Sequence, residues 1–402
     1  MIFQPELETL PRPELERLQL ERLMLRFGVG SLEALAEQPF TRKAELRDAY
    51  PFGMLRVPRE RCIRIHASSG TRGKPTIVAY TAADIAAWAD CCARAIAAAG
   101  GEPGTVVHVA YGYGLFTGGL GLHYGAERLG CSVVPASGGN TPRQVELLAD
   151  LGGEILCCTP SYALAIADHV GDLSRLRLRA GIFGAEPWTD GLRESLERAL
   201  GLRALDIYGL SEVMGPGVAS QCLESDGGAH VNEDHFLVEV VDPETGERRE
   251  EGALGELVFT TLTKEALPLL RYRTGDRASV TREPCACGRT LARLSRVVGR
   301  TDDMLIIRGV NLFPSEVERA LLAEPRLAPH YRLVVERPER LDVLVVEAEV
   351  GAGEPTDELR ASVERRLADA LGFSAVVRLH PPQTIPRSEG KALRVIDRRD
   401  ET

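Results

Sequence analysis

Nowhere does the 402-residue chain carry about 20 continuous apolar residues, the length that a membrane-spanning helix requires. Its longest apolar stretches, such as VVHVAYGYGLFTGGLGL, are broken by glycine and tyrosine, so no spanning segment and no membrane partner are expected. A basic excess is missing as well. The formal net charge of −10 argues against a general binder of nucleic acid or anionic membrane, which needs a basic footprint. Any polyanionic ligand must therefore be met by a local site. The nine cysteines are odd in number and several sit inside apolar runs, which opposes a disulfide framework and points to a reducing cytoplasm. The opening segment MIFQPELETLPRPELERLQLERL is charged and amphipathic, without the basic-then-apolar order expected of a secretory signal. No repeat or low-complexity tract stands out. What is present is an ordinary globular composition, 44% hydrophobic, in a chain long enough for a large domain and a smaller one.

Up to about residue 300, strand-like runs (TVVHVAYG, CSVVPAS, EILCCTP, RAGIFGAE, RALDIYG) alternate with helical segments (AADIAAWADCCARAIAAAG, PRQVELLADLG, DGLRESLERALG). That rhythm predicts parallel β-α-β units and an α/β core. From HFLVEVVDPETGERREEGALGELVFTTL onward, strands joined by Pro, Gly and Asp turns predict a small antiparallel β subdomain. After VVGRTDD a separate α+β unit of roughly a hundred residues is expected. Its order is strand (MLIIRGV), helix (PSEVERALLAE), two strands (HYRLVVER, RLDVLVVEAEV), helix (TDELRASVERRLADALG) and strand (SAVVRLH). The boundary is drawn as an N-terminal domain of residues 1–301 and a C-terminal domain of 302–402.

Between the strand-like RCIRIHA and TIVAYT lies SSGTRGKP. Ser68, Ser69, Gly70, Thr71 and Gly73 offer hydroxyls and unobstructed backbone N–H groups, and Lys74 adds a point charge, which suits the phosphates of ATP as well as a plain hairpin turn. DIYGLSEVMGPG places Tyr208, Ser211 and Glu212 at the end of a strand, where ligands bind in α/β sheets. One carboxylate beside a hydroxyl is suited to Mg²⁺, which takes few protein oxygens together with phosphate and water. Asp276 in YRTGDRASV is an acceptor for a ribose diol. Arg300 and Asp302 stand at the inferred domain boundary, and Lys391 follows a flexible Ser-Glu-Gly lead.

Taken in this order, SSGTRGKP, YGLSEVMGPGVA, YRTGDR, GRTDDMLIIRGVNLFPSEVE and EGKALRVIDRR resemble the adenylate-forming superfamily of acyl-CoA synthetases, luciferases and adenylation domains. AYPFGM, AYGYGLFTGGLGLHYGAERLG, SGGNTPRQ, LCCTPSYAL and GIFGAEPWT resemble its phenylacetate–CoA ligase branch, so that the likeness runs from about residue 36 to the end. It implies a large adenylate-forming domain with a small mobile lid, and a ligase that joins an acid to AMP from ATP and then to coenzyme A. By the same resemblance, the loop at 68 to 74 closes on pyrophosphate, Asp276 holds the ribose, and Gly184, Ala185, Glu186 and Pro187 frame the adenine with Asp206, Tyr208 and Gly209. Arg300 binds phosphate or ribose nearby. Lys391 and a magnesium ion at Glu212 stabilise charge at the α-phosphorus. The lid turns about Asp302 and brings the strand near Gly309 to the thioester step.

Tyr113 and Phe116, set among glycines in YGYGLFTGG, and Pro216 after the magnesium motif make surfaces between which a flat aromatic acid fits. The resemblance adds Gly184, Tyr208 and Gly209 to that wall. Cys222, His230, Cys285 and Cys287 lie in turn-rich segments, and three thiolates with one imidazole make a closed tetrahedral zinc set. Free thiols in a loop are the other reading at this point, because C-x-C is a weaker sign than C-x-x-C. The remaining six cysteines read as inert packing. Two departures from the family pattern stand out: LERLMLRFGVGSLEALAEQPF lacks a helical segment that relatives place there, and Arg72 replaces a common threonine. A carrier-protein thiol, or an amine or hydroxyl of a second molecule, remains open as acceptor, and a scaffold without catalysis is the reading of another class. A homodimer is also left open.

Overall fold

The computed structural model describes residues 1–68, 75–225, 227–301, 303–308, 310–338 and 341–399. Two compact units emerge: the first comprises Met1–Cys158, Asp172–Ala185 and Arg203–Val297, the second Thr159–Gly171, Glu186–Leu202 and Val298–Thr402.

The first unit holds helices α1 (Pro5–Glu8), α2 (Arg12–Phe27), α3 (Leu32–Ala36), α4 (Lys43–Asp48), α5 (Ala82–Ala98), α6 (Gly118–Leu129) and α7 (Thr141–Asp150). Its strands run in chain order: β1 (Arg64–Ser68), β2 (Thr76–Tyr80), β3 (Val106–Val109), β4 (Ser132–Val134), β5 (Ile155–Cys158), β6 (Ala180–Gly184) and β7 (Arg203–Leu210). They continue with β8 (Gly215–Ser220), β9 (Ala229–Val231), β10 (Phe236–Val241), β11 (Gly255–Thr261), β12 (Tyr272–Ala278), β13 (Val280–Thr281) and β14 (Arg293–Leu294). Nine of these form one sheet in the order β13-β14-β9-β8-β7-β6-β5-β3-β4. From β4 to β7 the neighbours are parallel, and from β7 to β13 they are antiparallel. The parallel strands are buried along their whole length at the centre, as ILCC and AGIFG show, which is why they read as apolar runs rather than as alternation.

Helix α5 starts at a capping box, in which the Thr81 hydroxyl accepts from the Asp84 amide and the Asp84 carboxylate accepts from the Thr81 amide. It packs against α6 at very close range: a Cβ on Gly125 would stand 2.3 Å from Cβ of Cys92, so only glycine permits the approach. Strands β10, β11 and β12 form the expected antiparallel subdomain, and β1 pairs with β2 as a hairpin.

The second unit contains α8 (Pro160–Ala167), α9 (Asp190–Leu200), α10 (Pro314–Leu322) and α11 (Asp357–Leu371). Its strands are β15 (Gly299–Arg300), β16 (Leu305–Ile307), β17 (Val310–Leu312), β18 (Leu327–Glu336), β19 (Val343–Val350), β20 (Val376–His380) and β21 (Val395–Asp397). Its four-stranded sheet has the order β20-β19-β18-β21. Val317 and Leu321 of α10 and Val363 and Leu367 of α11 pack on Leu333, Val335 and Val346. Two features differ from the sequence expectation. MLIIRGV forms a hairpin, β16 and β17, instead of one strand, because Arg308 adopts a left-handed conformation (φ 51°). Strand β21 was not anticipated; three residues carry little pattern, and its existence depends on the parallel pairing with β18. Among the described residues no helix is long and apolar enough to cross a membrane.

Candidate active site

In the parallel part of the first unit the chain leaves β3 toward β4 and leaves β5 toward β6, so the strand order reverses between β3 and β5. Ligands of open α/β sheets bind outside the carboxyl ends of strands at such a switch point. Tyr113 and Phe116 follow β3 directly and pack, half-buried, against the same core cluster as Ala185, which follows β6. The Tyr113 hydroxyl lies 3.2 Å from Nδ1 of His123. Gly184 closes β6, and Ala185 turns away with φ 73°, a strained value for a residue with a Cβ. Strand β1 is tied to the same region, since the Ala67 amide donates to the Leu115 carbonyl at 3.0 Å. Ser68 thus starts the SSGTRGKP loop beside the Tyr113–Phe116 segment, and its buried Oγ has no hydrogen-bond partner among the described residues. Ser69, Gly70, Thr71, Gly73 and Lys74 lie outside the described residues, as does Asp302.

Strand β7 ends in the motif that carries Asp206, Tyr208, Gly209, Ser211 and Glu212. Asp206 is paired through its backbone to Gln221: its amide donates to the Gln221 side-chain oxygen and its carbonyl accepts from the Gln221 amide. Tyr208 stacks on Phe259, with ring centres 5.9 Å apart, and its hydroxyl donates to Oδ2 of the buried Asp276 at 2.7 Å. Asp276 comes from β12, so two separate sheets converge on this pair. A Cβ on Gly209 would lie 1.8 Å from the Gly215 carbonyl oxygen, which makes glycine obligatory where β7 folds back onto β8. The Pro216 carbonyl accepts from the Trp88 indole at 2.9 Å.

Glu212 is 3% exposed. Its neighbour Ser211 shares a hydrogen bond of 3.1 Å with the Thr117 hydroxyl at the start of α6. Two lysines attend the turn. Lys43, at the start of α4, places Nζ 3.1 Å from the Glu212 carboxylate. Lys264 is buried and donates to the carbonyl oxygens of Glu212 and Val213 at 3.1 and 3.0 Å. Tyr80 completes the support by donating to the Met214 carbonyl at 2.8 Å. Sequence reasoning did not find Lys43, Lys264 or Thr117 as part of this site. For Lys264 a signal existed: a lysine inside the apolar run TLTKEALPLL needs a partner for its charge.

In the second unit, Glu186 joins two segments: its Oε1 accepts from the Ser161 amide at 2.6 Å and its Oε2 from the Ala392 amide at 2.9 Å. The Thr159 hydroxyl donates to the Gly390 carbonyl at 2.8 Å. Lys391, exposed, is therefore flanked by backbone anchored on one side to Thr159 and on the other to Glu186. Arg300 lies on β15, with its Nε 3.9 Å from Oδ2 of Asp303.

Away from the strand ends, Cys222, His230, Cys285 and Cys287 bring all their ligand atoms within 4.8 Å of one another. All four belong to the first unit. Residues separated by more than sixty positions thus meet as their chemical types suggested.

A family model described as AMP-binding enzyme matches residues 19–262, and another described as AMP-binding enzyme C-terminal domain matches residues 309–399. The chain is 49% identical to a phenylacetate-coenzyme A ligase of Thermus thermophilus over 444 residues, an alignment covering 99% of this chain and 100% of that one. It is 51% identical to the phenylacetate-coenzyme A ligase of Escherichia coli over 380 residues, covering 92% of this chain and 86% of the relative. Among solved structures, a 2-hydroxyisobutyryl-CoA ligase in the postadenylation state with 2-HIB-AMP matches with a TM-score of 0.89 at 29% identity, covering 99% and 92% of the two chains.

Proposed function

The chain belongs to the phenylacetate-coenzyme A ligase family of AMP-binding enzymes, AMP-forming acid–thiol ligases, and from that premise we propose that its acid is an aryl acid of the phenylacetate type. The chemistry follows from the weakness of a carboxylate as electrophile. Its oxygen attacks the α-phosphorus of ATP, the bond to pyrophosphate breaks, and a mixed anhydride with AMP results. The thiolate of coenzyme A then attacks the carbonyl carbon, and AMP departs with the electron pair.

Negative charge on the non-bridging oxygens of the α-phosphoryl group grows toward the transition state, so cations held there lower the barrier. Lys391 supplies one during the first half-reaction. Glu212 fits a magnesium ion, since it presents one buried carboxylate in the turn after β7 and Mg²⁺ takes one or two protein carboxylates beside phosphate oxygens. When bound there, the ion would supply charge neutralisation to the phosphates. Asp276 takes the ribose diol, held in place by Tyr208. Gly184, Ala185, Glu186, Pro187, Asp206 and Gly209 surround the adenine. Ser68 with the rest of its loop, and Arg300, meet the phosphates. Tyr113, Phe116 and Pro216 form the wall for the aromatic ring. Residues 302–402 act as the moving lid, hinged at Asp302, that withdraws Lys391 before thioester formation. The Cys222, His230, Cys285 and Cys287 cluster takes no part in this chemistry. Four protein donors would leave a zinc ion without an open position, so the cluster serves the fold.

The observation that carries this reading is the 2.7 Å pair of Tyr208 and Asp276, contributed by two sheets, with the buried Glu212 in the turn that follows the strand of Tyr208. ATP–pyrophosphate exchange with a panel of aryl acids tests it. Phenylacetate-type acids should stimulate exchange, and addition of coenzyme A should yield the thioester. Absence of exchange with every aromatic acid would refute the proposal, while exchange without thioester would move the acceptor to a carrier protein or an amine.

A further inference from the structure

We infer that Cys222, His230, Cys285 and Cys287 are the four ligands of a zinc ion that fastens the N-terminal residues to the antiparallel end of the nine-stranded sheet. The inference is independent of the ligase reading. Cys222 follows β8, His230 lies in β9, and Cys285 and Cys287 lie in the connection from β13 to β14.

The spacing is that of a tetrahedron. With zinc–sulfur bonds of about 2.3 Å and a zinc–nitrogen bond of about 2.0 Å, the sulfur–sulfur edge is about 3.8 Å and the sulfur–nitrogen edge about 3.5 Å. The Cys222 and Cys285 sulfurs stand 3.7 Å apart, and Nε2 of His230 lies 3.6 Å from the Cys222 sulfur and 3.5 Å from that of Cys287. A disulfide needs about 2.05 Å between sulfurs, so the three thiols are unbridged. Three soft sulfur donors and an imidazole in a closed tetrahedron select zinc over the hard cations, which take oxygen.

The cluster is also wired to the start of the chain. The Arg289 amide donates to the Cys287 sulfur at 3.5 Å, a bond of the kind that orients a thiolate. The guanidinium of the same residue donates to Oε2 of Glu8 at 2.6 Å and to the Met1 carbonyl at 3.0 Å. Glu8, 1% exposed, in turn accepts from the amides of Phe3 and Gln4 at 2.9 and 2.8 Å. Fixing Cys287 therefore fixes Arg289, and through it residues 1 to 8.

The test uses the full chain, purified without chelator or added metal. Elemental analysis should find close to one zinc per chain. Cys285→Ser should lower the content at least tenfold after dialysis against a chelator, whereas Cys285→His, which keeps a zinc donor, should retain most of it. For the wild type, stripping zinc should speed hydrogen exchange at the amides of Phe3, Gln4 and Arg289 at least tenfold and leave β5 and β6 unchanged. Less than a tenth of a zinc per chain, iron in its place, or zinc held equally by Cys285→Ser would overturn the site. Stoichiometric zinc whose removal leaves the Phe3 and Gln4 amides protected would overturn the fastening role. ATP–pyrophosphate exchange measured on the same samples reports the ligase chemistry separately.

Discussion

The ammonium of Lys264 donates to the carbonyl oxygen of Glu212 across 3.1 Å, from a side chain 1% exposed and 4.7 Å from the centre of the Tyr80 ring. This contact holds the turn that aims the Glu212 carboxylate. Burial pushes Lys264 down to about 8, against the pull of Asp84 and Glu212 in the other direction. An unfolded lysine keeps its proton up to 10.5, so between these values the unfolded chain binds the proton that the folded chain has released. The cost of the buried charge is thus fully present below about pH 8 and is relieved as pH rises toward 10.5, by about 3 kcal/mol at 1.4 kcal/mol per unit. Lys264→Met removes this slope. Urea unfolding at several pH values should show wild-type stability climbing relative to the variant through that window, and a difference independent of pH would contradict the assignment.

Lys391→Ala separates the two half-reactions. Loss of a cation that acts only on the first transition state should slow adenylate formation by about 10² or more. Thiolysis of a supplied acyl-adenylate should change by no more than a few-fold. Stopped-flow measurement of each step decides it, and equal losses in both would remove Lys391 from its role.

Asp276, held at 2.7 Å by the Tyr208 hydroxyl, is assigned to the ribose. Wild-type enzyme should therefore prefer ATP to 2′,3′-dideoxy-ATP, and Asp276→Ala should abolish the preference while raising KM for ATP. Tyr208→Phe should have a milder effect on KM and cost about 1.5–3 kcal/mol of stability, the worth of a hydrogen bond to a charged group. A preference for ATP that survives Asp276→Ala places the ribose elsewhere.

Arg94 and Asp234 form a buried bidentate pair, with N–H···O distances of 2.7 and 2.9 Å. Burial alone would raise the Asp234 carboxyl, but His235, Arg94 and Arg22 outweigh it and hold the group well below the usual carboxylate range. Its stabilising contribution is complete above the unfolded value of 3.8 and is lost progressively as pH falls below it. Asp234→Asn should cost about 3–5 kcal/mol near neutrality, because a buried guanidinium loses its counter-charge. The gap between variant and wild type should narrow below about pH 4 in urea titrations. A gap that stays constant into acid would show that the pair is not the source.

Tyr208, Ser211 and Glu212 were legible because one strand and its turn carry them all, and Asp276 because YRTGDR marks itself in the same way. The four zinc-type residues were legible from their chemical types, the turn-rich segments that hold them and the family resemblance together. Lys43 and Lys264 were not, since nothing near either in the chain says that its partner is Glu212. The hairpin at Arg308 and the short β21 escaped for a related reason: each depends on a conformation or a pairing that three to seven residues do not encode.

The alternation of apolar runs and amphipathic helices was enough to determine the α/β core, because periodicity arises between residues a few positions apart. The order of strands in the sheet, the antiparallel extension that gathers Cys222, His230, Cys285 and Cys287, and the lysines around Glu212 were decided only by the tertiary structure. Pairings of this kind depend on the register and packing of distant segments, and burial then forces every charge brought inward to find a partner.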